Sequence, residues 1–374
     1  MASSLDEQRH KELSATDDSI PTYTVIHADG LYDAGDDVIE QEIFKSTDTS
    51  KPFKVNYLQT NLSPAGIPIY KPWSTIDKSI RDKVDGITIL KPDFTAADLE
   101  LFPRLKVLVR MGVGYDRVDR VALAQRGVTL CNLPDYGTCE IADHAIALAL
   151  ALRRGIALHH DLQRADPPGE WTYVDTPLVS RIQSATLGIL GTGLIGTAVA
   201  LRAKAFGWNV LVYDPFAPNG IDKTLGVERT RDIKTLFRRS TTLSLHCPAN
   251  DATRGLVNYG LLSLMPKGAV LVNTARGEIL NLDDVERCLK ENILSGVGLD
   301  VLPNEPIPVK GPIHPLLQAY RNREEWLRGR MVVTPHSAYH SPESLVDIRV
   351  KSAEVMRDVL IHGMKINIIP PPKQ

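Results

Sequence analysis

The chain has few of the features that mark an extracellular, membrane or nucleic-acid-binding protein. Its 374 residues include only four cysteines, Cys131, Cys139, Cys247 and Cys288, with no C-x-x-C pair. We therefore expect free thiols in a reducing compartment. We expect neither a disulfide framework nor a bound metal. No apolar run reaches the ~18 residues needed to cross a bilayer. The formal net charge of −2 gives no electrostatic reason to expect nucleic acid or an acidic membrane as a partner.

What the chain does contain is typical of a globular protein, with 43% hydrophobic and 24% charged residues. At roughly 150 residues per domain, its length predicts two domains. Residues 1–20 are polar and have no hydrophobic stretch after the start, so we expect a disordered tail and not a secretory signal. Together these features predict a soluble, cytoplasmic protein.

Apolar, strand-like runs alternate with polar helical stretches both before and after the middle of the chain. This alternation predicts parallel βα units. Residues 140–154 form an Ala- and Leu-rich helix that is apolar on most faces, so we expect it to be buried between two bodies. A last long helix is predicted over 344–362. Because a terminal helix needs a core to pack on, one domain is predicted from 21–150 plus 341–374 and the other from 151–340.

A glycine-rich turn opens the second domain, where residues 187–200 read LGILGTGLIGTAVA. Gly191 permits a tight turn from strand into helix, Gly193 lets a pyrophosphate approach the backbone, and Gly196 lets helix and strand pack closely. The phosphates would meet the free N–H groups of the new helix. A turn without ligand is the alternative, but the preceding strand, the following helix and an acidic residue at the expected distance favour a dinucleotide.

That acidic residue is Asp214, which closes the apolar run WNVLVYD. An aspartate here would accept from the ribose hydroxyls and repel a 2′-phosphate, so NAD is favoured over NADP. If Asp214 instead caps a turn into Pro215, this preference weakens.

Three further polar residues each follow a strand-like segment: Arg276 in VLVNTARGE, Glu305 in GVGLDVLPNEP and His336 in VVTPHSAYH. Arginine can hold a substrate carboxylate bidentately, and histidine can exchange a proton near neutral pH. A neighbouring carboxylate favours the charged imidazolium and orients the ring. Each residue alone could have a structural role, but with the dinucleotide turn they predict hydride transfer to a 2-keto acid at the carboxyl ends of the strands.

Several longer stretches strengthen this reading, among them RMGVGYDRVD, LGILGTGLIG, HCPANDATRGLVN, LLSLMPKGAVLVNTARGEI and TPHSAYHS. With them the chain strongly resembles the D-isomer-specific 2-hydroxyacid dehydrogenases from about residue 106 to 344. DYGTCEIADHAIALALALRR and HSAYHS are similar to the branch that contains the C-terminal-binding-protein corepressors. The expected fold is α/β, with two Rossmann/flavodoxin-like, doubly wound parallel-sheet domains and a cleft between them.

The resemblance also implies roles for individual residues. Arg276 would bind the substrate carboxylate, His336 would donate the proton and Glu305 would support it, while the backbone of Val113 and Gly114 would contact the carboxylate as well. The domain over 151–340 would bind NAD or NADH, and the other would be the substrate domain. The implied cofactor-binding residues are Thr138, Gly191, Thr192, Gly193, Leu194, Ile195, Gly196, Asp214, Cys247, Pro248, Thr253, Thr274, Ala275, Arg276, Asp300, His336, Ala338 and Tyr339.

Two functions of different classes follow. The first is an NAD-dependent dehydrogenase acting on a small 2-keto or 2-hydroxy acid, with a phosphoglycerate dehydrogenase as a narrower alternative. The second is an NADH-responsive corepressor or binding protein, which would also be found in the nucleus. In both cases the resemblance implies a homodimer paired through the NAD-binding domains. Tyr339 stands where corepressors tend to carry tryptophan. The arginine-rich segment 318–330 is longer than usual; we expect a solvated helix face, with contact of its arginines to an acidic ligand as the alternative.

Overall fold

The computed structural model describes residues 20–30, 32–33, 35–63, 70–308 and 310–371. The predicted disordered tail, residues 1–20, lies outside this part of the chain apart from Ile20. Two compact units are present: unit 1 comprises Met1–Tyr136 and Val346–Gln374, and unit 2 comprises Gly137–Leu345. No helix in the described part is both long and apolar enough to span a membrane.

Unit 1 is built on a five-stranded parallel sheet with the order β2-β1-β3-β4-β5. Its strands are β1 Thr22–His27, β2 Lys54–Gln59, β3 Gly86–Ile89, β4 Val107–Arg110 and β5 Thr129–Asn132. Its helices are α1 Val38–Ile43, α2 Lys78–Arg81, α3 Ala96–Leu99 and α4 Arg120–Gln125, with a 3-10 turn at Trp73–Thr75. The strand order reverses between β1 and β3, which is the flavodoxin-like arrangement.

Unit 2 carries a seven-stranded parallel sheet with the order β12-β11-β10-β9-β6-β7-β8. Its helices are α5 Thr138–Arg153, α6 Ile156–Arg164, α7 Leu194–Ala205, α8 Ile221–Leu225, α9 Ile233–Arg239, α10 Tyr259–Leu262, α11 Leu282–Lys290 and α12 Pro315–Arg321. Its strands are β6 Thr186–Leu190, β7 Asn209–Tyr213, β8 Glu228–Arg229, β9 Thr242–Leu245, β10 Ala269–Asn273, β11 Leu294–Leu299 and β12 Met331–Val333. Helix α13, Pro342–Leu360, begins in unit 2 and continues into unit 1.

Alternation along the central strands of unit 2 divides its core between the two faces of the sheet. Leu187 and Ile189 of β6 pack in one apolar cluster, whereas Leu190 packs in the other. On β10, Val270 and Val272 are separated from Leu271 in the same way. Successive side chains of a strand point to opposite faces, so a sheet that is covered on both faces needs continuous apolar runs. The parallel sheets and alternating βα order predicted from the sequence are confirmed.

Helix α5 decides where the two units divide. The sequence placed the boundary between residues 150 and 151, but α5 lies in unit 2 from its first turn. Its buried Ala142, Ala145 and Leu148 belong to the cluster that contains Ile189 and Val272 of the unit 2 sheet. The apolar pattern of the helix shows that it is buried but does not show in which core, and that is why the sequence-based boundary differs.

His27, at the carboxyl end of β1, is a buried neutral histidine. It is 1% exposed, its Nδ1 lies 3.1 Å from the Thr88 hydroxyl, and its ring stacks on Tyr32 at 4.7 Å between centroids. Burial, with a smaller contribution from the Arg349 charge, lowers the pKa of His27 to about 3. Between this value and the ordinary pKa of 6.5, the unfolded chain binds a proton that the folded chain does not.

We therefore expect His27 to make the folded protein less stable as pH falls below about 6.5. The loss from pH 7 to pH 5 should be about 2 kcal/mol for this one group. The change His27→Gln keeps a polar side chain beside Thr88 and removes the titration. Urea unfolding at both pH values should show a smaller acid-induced loss for the variant than for the wild type; equal losses would contradict the assignment.

Candidate active site

The glycine-rich turn joins β6 to α7 and has no room for larger side chains at two of its three glycines. Gly191 has a φ of +96°, and a Cβ there would lie 2.8 Å from the carbonyl oxygen of His246. A Cβ on Gly196 would lie 2.0 Å from the carbonyl oxygen of Gly191. At Gly193, in contrast, a Cβ would meet nothing within 4 Å. The first and third glycines therefore shape the turn, whereas the second borders open space at the helix N-terminus.

Asp214, directly after β7, holds the glycine-rich turn through hydrogen bonds. Its Oδ2 accepts from the backbone N–H of Thr192 at 2.8 Å and from the Thr192 hydroxyl at 3.1 Å. Its Oδ1 accepts from the N–H groups of Phe216 and Ala217 at 2.8 and 3.1 Å. The aspartate thus caps the turn after Pro215, the alternative that the sequence had left open. Its negative charge still lies beside the glycine-rich turn.

Two buried hydroxyls are suited to a dinucleotide. The Oγ1 atoms of Thr138, at the start of α5, and Thr274, after β10, are buried and have no hydrogen-bond partner among the described residues. A buried polar atom without a partner is costly, and a ligand can supply one. Gly193, the N-cap of helix α7, provides no side-chain hydrogen bond to the helix, so the first N–H groups of α7 can donate to an anion. These features fit the NAD predicted from the sequence.

The different surroundings of Gly193 and Gly196 lead to a paired prediction. Gly193→Ala should leave the thermal stability of the cofactor-free protein nearly unchanged, because its Cβ points into open space, but should weaken NADH binding, because the methyl group takes up that space. Gly196→Ala should lower the melting temperature itself, because its Cβ overlaps the Gly191 carbonyl. Differential scanning fluorimetry with and without NADH measures both effects. Equal behaviour of the two variants would contradict this account of the turn.

His336 and Glu305, which follow β12 and β11, form a direct pair. The Nδ1 atom of His336 lies 2.6 Å from Oε2 of Glu305. The other carboxylate oxygen, Oε1, accepts from the backbone N–H of Leu302 at 2.7 Å and fixes the orientation of the carboxylate. A carboxylate only accepts, so Nδ1 carries a proton in this contact. The side chain of His336 is 40% exposed, and its Nε2 is the nitrogen left to exchange a proton with a substrate.

Arg276 follows β10, the strand beside β11 in the sheet. Its Nη1 donates to the carbonyl oxygen of Ala275 at 2.8 Å. The next residue, Gly277, touches the loop that holds Glu305, since a Cβ there would lie 1.9 Å from the carbonyl carbon of Leu302. The structure therefore brings the Arg276 turn and the Glu305–His336 pair to the same edge of the unit 2 sheet.

Asp300, directly after β11, holds the loop that carries His336. It is 2% exposed, and its backbone carbonyl accepts from the N–H of His336 at 2.8 Å. Its Oδ1 accepts from the N–H of Ser337 at 2.9 Å and its Oδ2 from the N–H of Ala338 at 3.0 Å. These bonds hold His336 at a φ of +52°, a conformation that is costly for a residue other than glycine and is typical of functional sites.

The remaining predicted cofactor residues surround the same edge. Thr253 donates its hydroxyl proton to the carbonyl oxygen of Pro248 at 2.6 Å and closes the loop after Cys247. Burial raises the pKa of the Cys247 thiol to about 11, so this thiol is protonated at neutral pH. The Tyr339 ring stands edge-on to His336 at 6.3 Å between centroids. Leu194, Ile195 and Ala275 complete the set at the start of α7 and after β10.

The predicted substrate-binding residues Val113 and Gly114 lie in unit 1, just past β4. The side chain of Asn132, at the end of β5, donates to the carbonyl oxygen of Val113 at 2.7 Å and holds this loop. Their role remains a prediction. In the described part of the chain, no group of three or more His, Cys, Asp or Glu side chains is arranged to hold a metal ion.

No role is assigned to Asn273 from the sequence, although this residue positions Arg276. It is fully buried at the end of β10, where its Oδ1 accepts from the N–H of Ala275 at 3.0 Å and its Nδ2 donates to the carbonyl oxygen of Arg276 at 2.8 Å. A lone amide ending the apolar strand AVLVN was the available signal. In the arginine-rich segment 318–330, Arg330 donates to the carbonyl oxygens of Leu289 and Leu294, so this arginine is a structural link and not part of a solvated face.

Comparisons with known proteins indicate the family of the chain. Residues 146–338 match the D-isomer specific 2-hydroxyacid dehydrogenase, NAD binding domain. A glyoxylate reductase of Korarchaeum cryptofilum is 34% identical over 299 residues, which cover 79% of this chain and 84% of that protein. C-terminal-binding protein 1 of Caenorhabditis elegans is 33% identical over 289 residues, which cover 76% of this chain but only 38% of that protein.

Among solved structures, D-lactate dehydrogenase from Aquifex aeolicus, complexed with NAD and lactic acid, has a TM-score of 0.71 at 26% identity. The match covers 93% of this chain and all of that one. The resemblance found in the sequence is therefore confirmed, and NAD(H) is the cofactor of unit 2. The chain belongs to the family of D-isomer-specific 2-hydroxyacid dehydrogenases.

Proposed function

We propose that this protein is an NAD-dependent dehydrogenase that interconverts a small 2-keto acid and the corresponding D-2-hydroxy acid. The observation that carries the proposal is the contact of 2.6 Å between His336 and Glu305 at the sheet edge where Arg276 also lies. A proton donor, a carboxylate that orients it and a cation for the substrate carboxylate are what reduction of a keto acid requires.

NADH held at the glycine-rich turn and by the hydroxyls of Thr138 and Thr274 would supply the hydride that reduction of the carbonyl carbon needs. His336 donates a proton from Nε2 to the carbonyl oxygen, and the product is the hydroxy acid with NAD⁺. Glu305 accepts from Nδ1, which stabilises the imidazolium before transfer and orients the ring. Arg276 binds the substrate carboxylate through paired N–H groups and fixes the carbonyl relative to His336.

The charge of Asp214 supports NAD over NADP as the preferred cofactor. Both of its oxygens are occupied by bonds within the turn, but the carboxylate would still repel a 2′-phosphate at this position. We propose a preference for NADH on electrostatic grounds, without requiring that Asp214 bind the ribose. Kinetic comparison of NADH and NADPH tests this step.

The direct test is a panel of keto acids with NADH, followed by the fall in absorbance at 340 nm. Glyoxylate, hydroxypyruvate, pyruvate, phenylpyruvate and phosphohydroxypyruvate cover small, polar, aromatic and phosphorylated side chains. Turnover of at least one of them, lost in His336→Asn, is the expected result. NADH binding without turnover of any of these acids would argue against the dehydrogenase.

A second candidate is an NADH-responsive binding protein, favoured by the 33% identity to C-terminal-binding protein 1. Because the match covers 38% of that protein, its partners do not carry over to this chain. Pairing of unit 2 with a second copy belongs to both proposals. Peptide capture with and without NADH separates them: NADH-dependent capture without turnover favours the binding protein.

A further inference from the structure

Helix α5 carries a histidine that reaches the site through a chain of hydrogen bonds. His144 is 25% exposed, and its Nε2 lies 2.9 Å from the hydroxyl oxygen of Thr334, which follows β12. The same hydroxyl lies 2.6 Å from Oδ1 of the buried Asp300. All three residues belong to unit 2.

The direction of this chain follows from the chemistry of its members. A carboxylate only accepts, so the single hydroxyl proton of Thr334 goes to Asp300. The Thr334 oxygen must then accept from His144, and this places a proton on Nε2. The direct distance from His144 Nε2 to Asp300 Oδ1 is 3.8 Å, so the hydroxyl relays the contact.

These hydrogen bonds occupy one carboxylate oxygen of Asp300 fully and the other only in part. Oδ1 accepts from Thr334 and from the N–H of Ser337, which uses both of its acceptor positions. Oδ2 accepts from the N–H of Ala338, and that contact leaves it one further acceptor position. The fixed carboxylate therefore keeps one acceptor position, on Oδ2, for a further donor.

We propose that His144 is a positioning residue for the nicotinamide end of the cofactor, acting through Thr334 on Asp300. The inference rests on the proposed function and on the family resemblance, which implies that Asp300 contacts the nicotinamide carboxamide. His144 touches neither substrate nor cofactor in this proposal. Its N–H fixes the Thr334 hydroxyl, which in turn fixes the Asp300 carboxylate and the loop that carries His336.

Binding of two ligands that share their adenine half tests the proposal without measuring turnover. NADH contains the nicotinamide and ADP-ribose does not. In calorimetry on the intact protein, His144→Leu should weaken NADH binding about tenfold and change ADP-ribose binding less than twofold. His144→Gln, whose amide N–H occupies nearly the position of Nε2, should bind NADH like the wild type.

Two further variants make the measurement specific. Thr334→Val removes the hydroxyl that joins His144 to Asp300, so it should weaken NADH binding to the same extent as His144→Leu. The double variant should bind NADH no more weakly than either single variant. His160→Leu, an exposed histidine of α6, is the matched control and should leave both affinities unchanged. Where the wild type turns over a keto acid, His144→Leu should also lower kcat for that acid by about tenfold to a hundredfold, the order expected for a misplaced reactive group.

The inference is overturned if His144→Leu binds NADH like the wild type. It is also overturned if the variant loses affinity for NADH and for ADP-ribose equally, since an equal loss indicates a general structural effect. It is also overturned if the wild type binds both ligands equally tightly, because Asp300 then makes no useful contact with the nicotinamide. A wild type that turns over no keto acid contradicts the proposed function, but the difference between the two ligands still decides the role of His144.

Discussion

The change His336→Asn should lower kcat for the preferred keto acid by about a hundredfold to ten-thousandfold, the usual contribution of a positioned general acid. Affinity for NADH should change little, because the backbone N–H groups of residues 336–338 still donate to Asp300. Asparagine keeps a side-chain N–H near Glu305 but provides no proton to transfer. Steady-state kinetics with calorimetry of NADH binding measures the two effects separately.

The matched control is His340→Asn, which changes an exposed histidine in the same loop and should leave kcat unchanged. Glu305→Gln should give an intermediate loss, because the bond to His336 can persist while the negative charge that stabilises the imidazolium is gone. If His336→Asn retains more than a tenth of wild-type turnover, another group donates the proton.

The change Arg276→Ala should raise KM for the keto acid by a factor of about a hundred or more. Hydrogen bonds to a charged group contribute roughly 1.5–3 kcal/mol each, and the bidentate contact contains two. Arg276→Lys should recover only part of this, because an ammonium group cannot form the paired contact. Initial rates over a range of keto acid at saturating NADH give the values.

Substrate chemistry shows whether the carboxylate is what Arg276 binds. The wild type should strongly prefer a keto acid over its amide. Arg276→Ala should remove most of that preference, because its kcat/KM for the keto acid falls while that for the amide changes little. Arg254→Lys, at an exposed arginine that lies 3.7 Å from Glu278, serves as the control. A preference that survives in Arg276→Ala would show that the carboxylate is bound elsewhere.

Much of the site could be predicted because its residues stand at strand ends. In a parallel sheet the carboxyl ends of the strands share one edge, so the sequence alone predicts that Arg276, Glu305 and His336 lie together. The glycine-rich turn was predictable for a similar reason, since its strand, turn and helix are contiguous in the chain. Local patterns of this kind carry their own structural context.

What could not be predicted depends on contacts between distant segments. His144 and Thr334 are separated by 190 residues, and nothing in the helix sequence identifies the hydroxyl that it faces. The boundary at α5 depends on which core accepts the helix, and the turn made by Asp214 depends on the position of Thr192. In each case the residue type indicates a role, but the sequence does not identify the residue that it contacts.

The most direct test of the account follows deuterium from the cofactor to the product. NADH labelled with deuterium at C4, in each of its two stereochemical forms, is mixed with the best keto acid that gives a chiral product, and the product is analysed by chiral chromatography with mass spectrometry. We expect one form to place deuterium at C2 of a D-2-hydroxy acid, and His336→Asn to lose this product at least a hundredfold. A product that is unlabelled with both forms of the cofactor, or an L-2-hydroxy acid, would contradict the mechanism.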